Sequence, residues 1–296
     1  MNGLVSIEPP STLQHLINLE ELYLMHNRLT NITSNLFTRL TQLNKLILDS
    51  NRIEFIETNA FLNMPHLEEL SLASNQLTQF GEDLFGEQHK LKRLDLSSNQ
   101  ISQLDDATFM SLYSLEELKL NSNSLRHINV WLLRNLYNLK WLYLYSNSID
   151  TIDSLALSSL VNLELLDLYA NRLSYLHEAM FYGCRNLRKL WLNENQIETL
   201  EEMTFAGLVK LEELDLSFNR LKYLNEHFMH GLNNLRKLSF SHNRLETIEM
   251  FTFRNLTRLN ELWLDYNGGL VVNKTSGLFV GLTELKDLHI TEAAFL

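Results

Sequence analysis

Apolar residues recur at fixed offsets along the whole chain. Counting from the first Leu of each unit (Leu19, Leu43, Leu67, Leu91, Leu115, Leu139, Leu163, Leu187, Leu211, Leu235, Leu259 and Leu285), the fourth residue is Leu throughout. The sixth is Leu except at Phe240 and Ile290. Alternation of apolar and polar positions predicts a short strand with one face inward. An Asn closes the run at Asn27, Asn51, Asn75, Asn99, Asn123, Asn147, Asn171, Asn195, Asn219, Asn243 and Asn267, a spacing of 24 residues. A unit of that size cannot bury its apolar face alone, so copies must stack and their strands must pair in parallel.

The Asn column has a physical cause. Past the strand the backbone turns inward, leaving amides and carbonyls without ladder partners in a dry interior. An Asn side chain brings two donors and an acceptor, enough for stacked copies to satisfy the turns of adjacent units. Further apolar columns fall at the eleventh residue (Leu29, Ile53, Leu77, Ile101) and the fourteenth (Ile32, Ile56, Phe80, Leu104). The nineteenth is an aromatic spine of Phe37, Phe61, Phe85, Phe109, Phe181, Phe205 and Phe253, with Leu133, Leu157 and Met229 in other units. Each such side chain, fully buried, contributes roughly 1.5 to 3 kcal/mol, which a single unit cannot set against its ordering entropy.

The motif Leu-x-x-Leu-x-Leu-x-x-Asn-x-Leu/Ile-x-x-Ile/Leu with Phe at the nineteenth place resembles the 24-residue extracellular leucine-rich repeat of Toll-like receptor ectodomains, chaoptin, Slit and insect leucine-rich immune proteins. The resemblance runs from about Leu4 to Ile290. It implies an α/β leucine-rich-repeat solenoid, a right-handed superhelix curved as a horseshoe with a parallel β-sheet on the concave face. The expected organisation is one domain over 1–296: a partial repeat over 1–18, ten regular repeats over 19–258, an irregular 26-residue repeat over 259–284 and a truncated last repeat over 285–296. Leu4, Val5, Leu13 and Leu16 read as the second half of a unit without its strand. Gly268 and Gly269 predict a bulge in the eleventh return, and Gln88, in a column otherwise held by residues such as Leu40 and Leu112, predicts a kink or a satisfied amide. Neither a cysteine-rich cap nor a signal peptide is expected here, which reads the chain as a fragment of a longer protein.

Charge narrows the partners. A net charge of -11 disfavours nucleic acid and anionic membranes, since both demand basic patches, and favours a protein or basic ligand. The second strand column alternates in sign through Glu68, Lys92, Glu116, Lys140, Glu164, Arg188, Glu212 and Arg236. Strands about 4.8 Å apart then place opposite charges side by side, which predicts self-neutralising pairs in preference to a docking stripe. Cys184, the lone cysteine, reads as a small buried hydrophobe. Sequons at Asn31, Asn255 and Asn273 predict glycosylation and an extracellular location.

Catalytic chemistry finds no footing: no nucleotide-binding glycine motif, serine elbow or zinc-binding helix pattern occurs. His227 with His230, His177-Glu178, and the trio His242, Asp265 and His289 all read as surface residues. No catalytic residue, metal site or cofactor is therefore expected. Function is expected on the outward third, fifth and seventh strand positions, where Trp141, Tyr143, Tyr145, Leu165, Asp167, Tyr169, Lys189 and Trp191 form the predicted ligand-binding group. Asp167 and Lys189 are expected to set orientation. Phe218, His242, Trp263, Asp265 and Tyr266 form a secondary group. The resemblance implies a non-enzymatic recognition module binding a protein ligand or co-receptor, often as a homo- or heterodimer. Self-association as a matrix scaffold and docking of an enzyme by a cytoplasmic regulatory subunit are the alternatives.

Overall fold

Each Leu-x-Leu pair places a three-residue strand whose middle side chain points inward and is buried in all but the two end strands, where Leu22 is half-buried and Leu288 exposed; its neighbours face outward. In a computed structural model, which describes residues 3–5, 7, 10–80, 84–272 and 277–295, the chain forms two compact units, Met1–Ser148 and Ile149–Leu296. In the first unit the strands Glu21–Tyr23, Lys45–Ile47, Glu69–Ser71, Arg93–Asp95, Glu117–Lys119 and Trp141–Tyr143 pair in sequence order, all parallel. In the second, Leu165–Asp167, Lys189–Trp191, Glu213–Asp215, Lys237–Ser239, Glu261–Trp263 and Asp287–His289 do the same. Register advances by one repeat at each step, so Leu46 stands beside Leu70 and Leu190 beside Leu214. Both units are solenoid stacks.

Return segments are runs of turns with short two-residue strands, such as Asn31–Ile32 beside Phe55–Ile56 and Tyr223–Leu224 beside Thr247–Ile248; the described residues contain one helix, the 3-10 turn Pro10–Leu13. The Phe spine lies fully buried, with ring centroids of Phe61 and Phe85 6.4 Å apart, Phe85 and Phe109 6.3 Å, and Phe181 and Phe205 5.9 Å.

From Asn51 onward the Asn column staples each turn to the one before. Asn219 Oδ1 accepts the Ile197 N–H at 2.9 Å, and its Nδ2 donates to the carbonyls of Leu192, Leu216 and Ser217 at 2.9, 3.1 and 3.2 Å. Asn75 repeats the pattern with Ile53, Leu48, Leu72 and Ala73. Even Asn267, ahead of Gly268-Gly269, keeps it through Leu245 and Phe240. The two glycines lie in a turn leading to the short strand Val271–Val272.

Two local features differ from the regular units. Leu4, Val5 and Leu16 are exposed, and the first segment joins the stack through its backbone, where the Arg28 N–H donates to the Leu4 carbonyl at 2.8 Å. Gln88 is buried with a half-satisfied amide: Nε2 donates to the Phe61 carbonyl at 2.7 Å, and Oε1 has no protein partner.

Candidate functional site

The outward columns are more covered than their position suggests. Trp141, Tyr143 and Tyr145 belong to the first unit, and all three are half-buried. Lys140 Nζ lies 5.8 Å from the Trp141 ring centroid and Lys119 Nζ 6.0 Å from that of Tyr143, so amines sit over both rings. Leu165, Asp167, Tyr169, Lys189 and Trp191 belong to the second unit. Neighbouring strands are close enough for each large side chain to shade the next, which turns an exposed stripe into a half-buried one.

Asp167 departs furthest from expectation. It is only 6% exposed, and Trp191 stands directly alongside it in the sheet register. Burial pushes its carboxyl up to about 6, and the N–H of Tyr169, donating at 3.0 Å, offsets only part of that. Asp167 thus closes its own turn, as Asp215 does by accepting the Ser217 N–H at 2.9 Å. Lys189 is likewise engaged, 3.2 Å from Glu213 and 6.0 Å from the Trp191 ring centroid. Asp167 is thus a covered charge and Lys189 a paired, partly exposed one.

Further along the second unit, Trp263 stacks on His289 with centroids 5.6 Å apart, and Asp265 Oδ2 lies 4.0 Å from His289 Nδ1. Asp265 also accepts from the Thr291 N–H and hydroxyl, at 2.8 and 3.0 Å. His242 meets that pair only through its backbone N–H, which donates to the Asp265 carbonyl at 2.9 Å; its ring is sandwiched between Phe218 and Tyr266, with centroids 4.1 and 4.2 Å away.

Charged columns behave as self-neutralising pairs. Lys92 reaches Glu68 and Lys140 reaches Glu116, each at 2.8 Å, and Arg188 bonds Glu212. The hydrogen bond from Lys92 lowers the Glu68 carboxyl below its ordinary range. A second ladder, one column further in, was not anticipated: Lys45 pairs with Glu69 at 3.0 Å and Lys237 with Glu261 at 3.0 Å. Sign alternation in that third column carried the signal. In the first unit it borders a polar depression lined by Asp49, Ser71, Arg93, Asp95 and Lys119.

On the return side, Glu201 accepts from the Tyr175 hydroxyl and the Glu178 N–H, and Glu249 accepts in the same way from Tyr223 and Glu226. Those carboxylates tie turns together. His177 Nδ1 accepts the Ala179 N–H at 3.1 Å, while His227 and His230 are exposed. Among the described residues no three His, Cys, Asp or Glu side chains converge to hold a metal ion. No helix there is long and apolar enough to cross a membrane. Cys184 is buried, and burial pushes its thiol up to about 12. Asn31 and Asn255 are exposed, and Asn273 lies outside the described residues.

The leucine rich repeat family pattern matches residues 2–53, 41–101, 89–133, 162–221 and 210–268, most of the chain. The chain belongs to the leucine-rich repeat family. Solved structures agree. In a TLR13 complex with ssRNA13 the receptor is 28% identical, with a TM-score of 0.84 over 98% of this chain and 42% of its own. Toll in the Drosophila Toll–Spatzle complex is 25% identical, with a TM-score of 0.71 over 88% of this chain and 38% of Toll. An internalin from Listeria monocytogenes, 23% identical with a TM-score of 0.78 over 99% of this chain and 79% of its own, shares the fold. This leucine-rich repeat chain thus spans under half the length of the TLR13 chain. A comparison with curated proteins finds no match. Leucine-rich repeat folds of this kind are typically protein-interaction modules.

Proposed function

We propose that this chain is the recognition module of an extracellular leucine-rich repeat receptor, or of a secreted immune or adhesion protein, and that it binds a protein ligand through outward side chains of its sheet. One observation carries the reading: Trp and Tyr side chains gather at outward strand positions where the fold needs no apolar residue. Trp141 and Tyr143 do so in the first unit, Tyr169, Trp191 and Trp263 in the second, each half-buried with surface left to contribute. Half-desolvated Trp and Tyr are the side chains most often dominant in protein interfaces. Toll in complex with Spatzle and the LRIM1/APL1C complex are protein assemblies of similar folds, which supports a protein partner. Exposed sequon residues Asn31 and Asn255 support an extracellular setting.

The test is a binding screen of the purified chain against secreted and ectodomain proteins of the same source, with each hit re-measured on W141S, W191S and the double variant. Loss of about tenfold in affinity or more per tryptophan is expected, the scale of a hot-spot residue. The melting temperature should hold, because neither ring belongs to the leucine core. Undiminished binding by the double variant removes these tryptophans from the interface.

A further inference from the structure

The residue before each column Asn, from His26 through Ser50, Glu194 and Phe218 to Tyr266, occupies the left-handed region, and so does Glu292 at the same place in the last turn, with φ between 52° and 59° throughout. Side chains rarely adopt that conformation. The backbone imposes it: the N–H of this residue donates to a carbonyl of the next turn, as from Ser50 to Ala73 at 2.9 Å and from Phe218 to Ser241 at 2.9 Å. Geometry here is independent of the side chain, and Ser50, Ser74, Ser98, Ser122 and Ser146 fill the position without any large group. In three consecutive turns of the second unit, however, it is Phe218, His242 and Tyr266.

Their rings stack face to face, with interplanar angles of 10° and 17°. Phe218 and Tyr266 nevertheless remain 48% and 49% exposed. Glu194 precedes Phe218 by one turn and Glu292 follows Tyr266 by one, both exposed and both in the same left-handed column. The Tyr169 hydroxyl, from the preceding turn, donates to Glu194 at 3.2 Å and so anchors its carboxylate. The strip therefore reads carboxylate, three rings, carboxylate. Mutual stacking accounts for the ring contacts, but not for acids closing both ends.

Such a strip matches one chemistry. A guanidinium is planar, weakly hydrated and permanently charged, so it can stack on the outer face of Phe218 or Tyr266, the faces His242 leaves open, while pairing with a carboxylate at that end of the strip; an ammonium is a compact, strongly hydrated point charge. The chain's net charge of -11 favours approach by a basic segment. We infer that Glu194, Phe218, His242, Tyr266 and Glu292 form a docking strip for an arginine-bearing segment of a protein ligand. The inference rests on the protein-recognition reading and specifies the chemistry of the partner.

Fluorescein-labelled hexa-arginine and hexa-lysine peptides, titrated into the full chain and followed by anisotropy, test it without the natural ligand. The intact protein should bind the arginine peptide about fivefold more tightly, as stacking adds to charge. F218S/H242S/Y266S should bring the two peptides to parity, and its fold should persist because Ser takes this backbone geometry in five other turns. E194Q/E292Q should weaken both peptides. Should the serine variant fail to fold, F218L/H242L/Y266L keeps apolar bulk without the aromatic faces and should also abolish the preference. Equal affinities in the intact protein, or a preference that survives loss of the rings, overturns the inference. W141S and W191S should leave the peptide preference unchanged, so failure of the tryptophan interface and failure of this strip give separate results.

Discussion

Asp167 shows how far one residue can depart from its column. A buried carboxyl raised from 3.8 to about 6 binds its proton more readily in the folded chain than in the unfolded one. Stability must therefore fall as pH rises through that window, and the ionised group remains a burden above it, on the order of 3 kcal/mol. Asp167→Asn keeps an oxygen to accept the Tyr169 N–H and removes the charge. Urea midpoints at pH 4.5 and 7 should converge in this variant, with a gain of roughly 1 to 3 kcal/mol at pH 7. An unchanged pH dependence would contradict the burial described above. Sequence placed Asp167 on the outward face, as observed, but alternation says which way a side chain leaves the strand and nothing of what shades it. Trp191, one repeat away, does the shading.

At the scale of the element, the spine anchors a return segment that has no helix. Phe85 is flanked on both sides by Phe61 and Phe109 and by the edge of Phe80 at 6.0 Å. Phe85→Ala should cost about 3 to 5 kcal/mol in denaturant unfolding, and Phe85→Leu distinctly less, since Leu133 and Leu157 fill the same column elsewhere. Strands, staple and spine were all legible in the sequence because every unit repeats the same environment, so one requirement is written many times. The left-handed residue before each Asn was not legible. Its backbone is fixed by a hydrogen bond to the next turn, so Ser50, Glu194 and Phe218 satisfy it equally and no residue type marks it. For the same reason the Phe218, His242 and Tyr266 stack was found as an aromatic group but not as a ladder with acidic ends.

For the whole molecule, stability resides in stacked neighbours rather than in any single unit. Cys184 reports on that. Its Sγ is sealed inside the second unit, 3.7 Å from the Leu157 carbonyl, and its pKa near 12 keeps it a thiol. An aromatic disulfide reagent at pH 8 should label it only along the unfolding transition; labelling of the native chain at the rate of a free thiol would show that the stack opens locally. The paired charges carry a separate consequence for how such a chain can lengthen. Its leucines repeat with every unit, whereas its carboxylate and amine partners, and the clamps Tyr175–Glu201 and Tyr223–Glu249, recur with every second one. Duplicating an even number of coils preserves both rhythms; duplicating a single coil keeps the leucines aligned but sets like charge against like charge.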